Sequence, residues 1–271
     1  MLPSDRLPEA LRPQSGRIRT IAHRGDSSSA PENTIAAFDA AVAAGSDLIE
    51  IDVRRTADGV AAVIHDESAL RTTGIDAPVA ALDAATLGAA DAGSWFGPGF
   101  AGARVPTFGE AAEWGASHRE VGWLVEFKGG WTAAQLEGLV TTIRRHGLAG
   151  RTILQSFEPD TVAAARDVAP DLPRALLVHR LESPDTLLER LQALGAAGCN
   201  PIGQLPIAMP GLAARLREAG YSVYPWTVDE PDEWGAAGVA SVDGVITNRP
   251  GAFRNWHELR WSRAGAPAPA S

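Results

Sequence analysis

The chain of 271 residues contains a single cysteine, Cys199, so no disulfide can close within it. That usage fits a reducing compartment. No stretch approaches the roughly 18 consecutive apolar residues that a membrane-spanning helix needs. The opening MLPSDRLPEALRPQSGR also lacks the apolar centre of a secretory signal. A cytoplasmic protein with no integral membrane association is therefore expected. HExxH, HxH and paired cysteines are all missing, which removes the usual signs of zinc. The net charge of -9 leaves no basic excess for a nucleic-acid face. It does not exclude a small anionic substrate, because a site can be locally positive in an acidic protein. Lysine is nearly absent too: of 24 basic residues only Lys128 is not arginine. A lone lysine in so arginine-biased a chain marks a position where a compact ammonium works and a planar guanidinium does not.

What is present is alternation. Short β-like runs occupy 17–23, 47–53, 60–65, 122–127, 152–157, 174–179, 198–202, 221–228 and 243–247. Helical patterns fall between most of them, at 33–44, 132–146, 159–168, 184–194, 210–219 and 231–237. Four begin with proline, which suits a first helical turn, and Gly147, Gly195 and Gly220 stand where helices stop. Repeated β-α units with short connections imply a parallel sheet, and about 250 residues is the usual length of a closed (β/α)8, or TIM-type, barrel. The predicted fold class is therefore α/β, a TIM (β/α)8-type barrel. An open doubly wound sheet is the alternative, but no glycine-rich dinucleotide loop follows the first run. Nine runs are one too many for eight units. The segment RRTADG between the second and third reads as a hairpin turn, so the barrel is expected to be irregular there. Residues 66–106 break the alternation and are expected to form a small excursion over the barrel mouth. The barrel domain is expected over 18–256, with residues 1–17 as a leading arm and 263–271 as a mobile tail.

On a strand, alternate residues share a face. LIEIDV thus sets Glu50 and Asp52 on one side and Ile49, Ile51 and Val53 on the other. LVEFK likewise pairs Glu126 with Lys128. Three carboxylates from two strands suit a hard divalent cation such as Mg²⁺ or Ca²⁺. His23 and His65 each close a β-like run, where barrel active sites are built, and such a pair can work as base and acid. His118, His146, His179 and His257 lack that company and are expected in surface or packing roles. In HRGDSSSAPENT, Gly25 permits a tight turn, Arg24 suits bidentate phosphate contact, Asn33 is a candidate helix cap and Glu32 a candidate brace. Gln155 and Ser156 end another strand. Trp226 fits a pocket wall and barrel core equally well.

The strings AHRGDSSSAPENTIAAF, IEIDVRRTADGVAAVIHDESALRTTG, DAGSWF, VPTFGEA, EFK, QSF, WTV and DGVITNRP resemble, in order and spacing from about residue 20 to 251, the glycerophosphodiester phosphodiesterases. The resemblance implies a TIM-type barrel and hydrolysis of glycerophosphodiesters to sn-glycerol 3-phosphate and an alcohol. It implies His23 and His65 as the acid/base pair and Glu50, Asp52 and Glu126 as ligands of a divalent cation. Arg24 and Lys128 would hold phosphate oxygens, and Trp226 would lie against the glycerol. Two positions depart from the pattern: Asn248, where many relatives carry aspartate, and Gly129-Gly130-Trp131 after EFK. Neither is expected to touch the catalytic set. Two other readings keep parts of this site. One is a lysophospholipid substrate, with Trp95, Phe96, Phe100, Trp114 and Trp131 building an acyl channel. The other is a barrel that binds phosphorylated polyols without turnover.

Overall fold

A computed structural model describes residues 17–180, 182–205, 209, 211–239 and 242–263, together with Asp5, Leu7, Pro8 and Leu11. The predicted β-like runs all contain strand: β1 (Arg19–His23), β2 (Leu48–Arg55), β3 (Ala61–Val63), β4 (Gly122–Phe127), β5 (Thr152–Ser156), β6 (Arg174–Val178), β7 (Gly198–Pro201), β8 (Ser222–Val223) and β9 (Gly244–Thr247). Eight run parallel in the order β8-β7-β6-β5-β4-β2-β1-β9. Backbone hydrogen bonds from Asp243 N to Val223 O, Ile246 N to Pro225 O and Val228 N to Ile246 O join the two ends. The sheet is thus a nearly closed TIM-type barrel. The surplus strand is β3, which pairs antiparallel with β2 as its hairpin turn predicts.

The helices are α1 (Ile35–Ala43), α2 (Leu70–Thr73), α3 (Ala84–Ala89), α4 (Phe108–Ser117), α5 (Ala133–Arg145), α6 (Pro159–Val168), α7 (Pro184–Leu194), α8 (Leu212–Glu218), α9 (Pro231–Val239) and α10 (Pro250–Arg263). The predicted helix at 210–219 begins later, and Pro210 lies outside the described residues. Helices α4 and α10 are not among the predicted helices, although Thr107 and Glu110 cap α4 reciprocally and leave a T-x-x-E signature. Helix α10 extends through Arg263, and 264–271 lie outside the described residues. No described helix is long and apolar enough to cross a membrane.

Strand alternation sorts the core. Ile49, Ile51 and Val53 of β2 and Trp123, Val125 and Phe127 of β4 face outward, against Phe38, Leu136 and Val140 of the helical layer. Ile21, Leu48, Leu124, Ile153, Ala175, Tyr224 and Ile246 pack together inside the barrel. Leu7 and Leu11 of the N-terminal segment join this inner cluster at 1% and 3% exposure. This part of the arm is therefore barrel filling, because a parallel barrel leaves one end of its apolar interior to be covered by something else.

The excursion at 66–106 carries its own small core of Ala69, Val79, Leu87, Ala92 and Val105, packed on Ala62 and Ile64 at β3. That attachment holds it beside the barrel mouth. It does not roof it: no residue of 67–106 lines the central cavity.

Truncating Leu11 tests the filling role. Leu11→Ala is expected to destabilise the protein by about 2–4 kcal/mol, as buried leucine truncations do. The readout is the midpoint of urea unfolding, and an unchanged midpoint would show that the inner cluster does not need this side chain.

Candidate active site

The loop after β1 aims the site. Arg24 and Asn33 both adopt left-handed backbone, φ 58° each, which non-glycine residues rarely do. Gly25 at φ 81° lies so close to α1 that an added Cβ would sit 2.6 Å from Ala37 atoms. The tight loop turns the Arg24 N–H onto Glu50 Oε2 at 3.0 Å and brings its guanidinium Nε to 3.2 Å from Asp52 Oδ2. Asn33 is not the helix cap. Thr34 caps α1 by accepting from the Ala37 N–H, which leaves the Asn33 amide free to donate to Asp52 Oδ2 at 2.8 Å.

Strand register gathers the carboxylates. Asp52 stands beside Glu126 on the neighbouring strand, and Glu50 stands beside His23 on the other side. Glu50, Asp52 and Glu126 are buried, and each offers an oxygen within 4.8 Å of those of the other two. Lys128 Nζ lies 2.5 Å from Glu126 Oε1 and 3.1 Å from Asp52 Oδ1. Beyond Lys128, neither of those two oxygens has a hydrogen-bond donor. Burial alone would raise all three acids. For Asp52 the cations Lys128 and Arg24 outweigh burial and hold it below the ordinary range. Burial and the neighbouring charge of Asp52 push Glu126 up to about 7 and Glu50 well above its usual value. Two cations thus cannot keep three carboxylates ionised together. The all-oxygen, closely spaced donor set fits a hard divalent cation, which would supply the missing charge.

His23, Arg24, Glu50, His65, Glu126, Lys128, Gln155 and Trp226 line one cavity of about 220 Å³, with Phe157, Leu177, Thr227 and Ile246 completing the wall. Trp226 both lines the cavity and packs on the inner barrel cluster. Its ring meets Phe157 edge-on at 5.2 Å. Gln155 reaches Glu50 at 3.5 Å and is oriented by Asn200, which donates to its Oε1 at 2.8 Å. Ser156 points away and donates to the Phe127 carbonyl. Glu32 is a brace, accepting from Arg24 at 2.8 Å and from two nitrogens of Arg71. Trp114 and Trp131 belong to the outer layer, while Trp95, Phe96 and Phe100 pack on one another in the excursion. None of these five lines the cavity.

Both histidines are held at Nδ1. His65 Nδ1 lies 2.7 Å from Asp66 Oδ1, a carboxylate that can only accept, so this nitrogen carries the proton. His23 Nδ1 lies 2.7 Å from Asn248 Oδ1. The Asn248 amide is oriented by Asp229, whose Oδ2 accepts from Asn248 Nδ2 at 2.6 Å. Its oxygen is therefore the end facing His23, and His23 Nδ1 must donate. Asn248 thus does touch the predicted set, contrary to expectation, because β9 closes onto β1 and brings the two loops together. Burial, with Arg24 next, pushes His23 down to about 4; burial and the cations Arg24 and Lys128 also lower His65. Sequence reasoning missed Asn33, Asp66, Arg71, Asn200 and Asp229. Position immediately after a β-like run was an available signal for Asp66 and for Asp229; Arg71 had none.

Residues 23–252 match the profile of the glycerophosphoryl diester phosphodiesterase family. A glycerophosphodiester phosphodiesterase of Caldanaerobacter subterraneus is 35% identical over 238 residues, covering 87% of this chain and 96% of that protein. One of Bacillus subtilis is 31% identical over 265 residues, covering 88% and 85%. Among solved structures, an Oleispira antarctica phosphodiesterase in complex with the product sn-glycerol 3-phosphate superposes with a TM-score of 0.80 at 28% identity, covering 89% of this chain and 96% of that one.

The carboxylate cluster makes a linkage prediction. A carboxyl whose pKa is raised on folding binds its proton more tightly when folded. Glu126 therefore favours the metal-free fold at pH 5 and ceases to as pH rises from its unfolded value toward about 7. Thermal unfolding of metal-free protein at pH 5.5 and pH 8 should show a smaller loss across that window for Glu126→Gln than for the parent. Added Mg²⁺ or Ca²⁺ should stabilise the parent at pH 8. Identical pH dependence in the two proteins, with no metal effect, would remove the cluster from the cation-binding role.

Proposed function

The chain belongs to the glycerophosphoryl diester phosphodiesterase family, whose members are phosphoric diester hydrolases, and from that premise we propose that it hydrolyses glycerophosphodiesters to sn-glycerol 3-phosphate and an alcohol by His/His acid-base catalysis with Mg²⁺ or Ca²⁺ bound. The observation that carries this reading is the convergence of His23, His65, two cationic side chains and the acidic cluster on one cavity sized for a small ligand. The product found in the Oleispira antarctica structure supports the same substrate end.

In this reading Glu50, Asp52 and Glu126 hold the cation. When bound, it polarises a phosphoryl oxygen and offsets the charge that grows there. Arg24 and Lys128 bind the remaining phosphate oxygens, and both stay charged because Asp52 faces each of them. Trp226 and Phe157 form the apolar wall against the organic part of the substrate.

The partners of the two Nδ1 atoms support distinct roles. His23 donates to a neutral amide and is held unprotonated at Nε2 by burial, as a base must be. It takes a proton from the attacking hydroxyl, either of water or of the glycerol C2 carbon. His65 donates to a carboxylate, the partner that best stabilises an imidazolium and that opposes the lowering by burial. It gives its Nε2 proton to the departing alkoxide as the P–O bond breaks. Attack by the C2 hydroxyl would form a cyclic phosphate, which water then opens with the two histidines exchanging roles.

The first test is release of sn-glycerol 3-phosphate from glycerophosphocholine and glycerophosphoethanolamine, with EDTA, Mg²⁺ and Ca²⁺ arms. Metal-dependent release is expected, and His23→Ala should lower kcat about 10²- to 10⁴-fold, the usual range for a lost acid or base. Full turnover by His23→Ala would remove it from the chemistry. Asn248→Asp sets a carboxylate against His23 Nδ1 and raises its pKa, so the acidic limb of kcat/KM should move to higher pH. A limb that stays in place would show that Asn248 does not govern the base.

A further inference from the structure

A chain of ion pairs leaves the cavity on the side of the excursion, and Arg71 is its centre. Arg71 lies on α2, a short helix of that excursion, with its side chain 44% exposed. Its guanidinium grips two carboxylates at once. Nε donates to Asp66 Oδ2 at 2.6 Å and Nη2 to Asp66 Oδ1 at 3.1 Å. Nη1 donates to Glu32 Oε2 at 2.7 Å and Nη2 to Glu32 Oε1 at 2.8 Å. Asp66 Oδ1 is the atom that holds His65 Nδ1, and Glu32 Oε1 is the atom that holds Arg24 Nη1. One side chain therefore fixes both carboxylates that orient His65 and Arg24.

The fold does not need this contact for itself. The excursion has its own apolar core and is anchored to β3 through Ala62 and Ile64. A half-exposed ion pair contributes little to stability. What a planar fork with several donors does supply is orientation. Asp66 is tied along both its oxygens, so it cannot rotate away from His65, and a lysine could not span both carboxylates with the same geometry. Nearby, Arg54 Nε donates to the His65 carbonyl at 2.6 Å, which fixes the backbone but leaves the imidazole free to turn about its side-chain torsions.

We propose that Arg71 is a positioning residue: through Asp66 it sets the orientation of the His65 imidazole toward the leaving-group oxygen, so the excursion sets the efficiency of proton donation without lining the cavity. This rests on the phosphodiesterase reading above, with His65 as the acid.

The test compares two substrates that share the glycerol phosphate end. Glycerophosphocholine expels an alkoxide that needs a proton, whereas glycerol 3-(4-nitrophenyl phosphate) expels a phenolate that does not. Arg71→Met and Arg71→Lys should each lower kcat on glycerophosphocholine by about 10- to 100-fold, the usual cost of losing a supporting hydrogen bond. The aryl diester does not draw on general acid catalysis, so its loss should be clearly smaller and should report only the Glu32–Arg24 arm of the contact. His65→Ala should show the same leaving-group selectivity. Equal losses on both substrates, or no loss on either, would overturn the proposal. A second readout does not require turnover. In protein carrying ¹⁵N-histidine, the His65 Nδ1 proton should be protected from exchange in the parent and lose that protection in Arg71→Met. The His23 Nδ1 proton, held by Asn248, should not change. A His65 signal that is the same in both proteins overturns the tether. A folded parent that turns over neither substrate would instead sink the phosphodiesterase reading, and the exchange experiment would still decide whether Arg71 holds His65.

Discussion

Asp52 is the point on which the site is balanced. It is fully buried, and burying an ionised carboxylate is costly unless charge and hydrogen bonds answer it. Arg24, Lys128 and Asn33 all converge on it. Each is there because of a particular local structure: a left-handed turn for Arg24, a second left-handed residue for Asn33, and the strand end after Glu126 for Lys128. Burial, and after it the charge of Asp52, forces Glu50 and Glu126 upward in pKa, and the cluster is short of positive charge. That deficit makes it a place for a hard cation.

The barrel provides this arrangement through alternation and register. Inward residues near the base of the strands are apolar and fill the interior with Ile21, Leu48, Leu124 and Ile153. Two residues further along, the same inward faces present His23, Glu50, Glu126 and Gln155. One strand period therefore separates packing from chemistry. The outward faces of β2 and β4 stay apolar along their length and bind the helices, so the charged layer can be carried without loss of the core. Around the mouth, the neighbours of the cavity residues are themselves held: Gln155 by Asn200, the Asn248 amide by Asp229, Asp66 and Glu32 by Arg71. Of these, Asp229, by orienting the Asn248 amide, decides which nitrogen of His23 carries the proton.

Where expectation and structure part, closure of the barrel is usually the reason. Asn248 stands over two hundred positions from His23 in the chain and meets it because β9 pairs with β1. Leu7 and Leu11 carry no visible period but fill the interior, because the barrel offers a socket that only the completed ring creates. The aromatic residues of the alternative acyl channel divide instead between the outer layer and the excursion. Helix α4 is different: its capping residues were legible, and it was missed for want of a long apolar period.

The sequence by itself determined the strands, six of the helices and the polar layer. Alternation within LIEIDV and LVEFK set Glu50, Asp52, Glu126 and Lys128 on inward faces, and the ends of two β-like runs marked His23 and His65. These follow from the two-residue period of a strand, which is local. Only the tertiary structure decided the partners. Asn33 as a hydrogen-bond partner of Asp52 and not a cap, Asn248 and Asp229 behind His23, and the bridge from Arg71 to Glu32 all depend on loops from different strands meeting at one rim. Hydrogen-bond geometry between such loops is set by barrel closure and strand register, and no spacing along the chain encodes it.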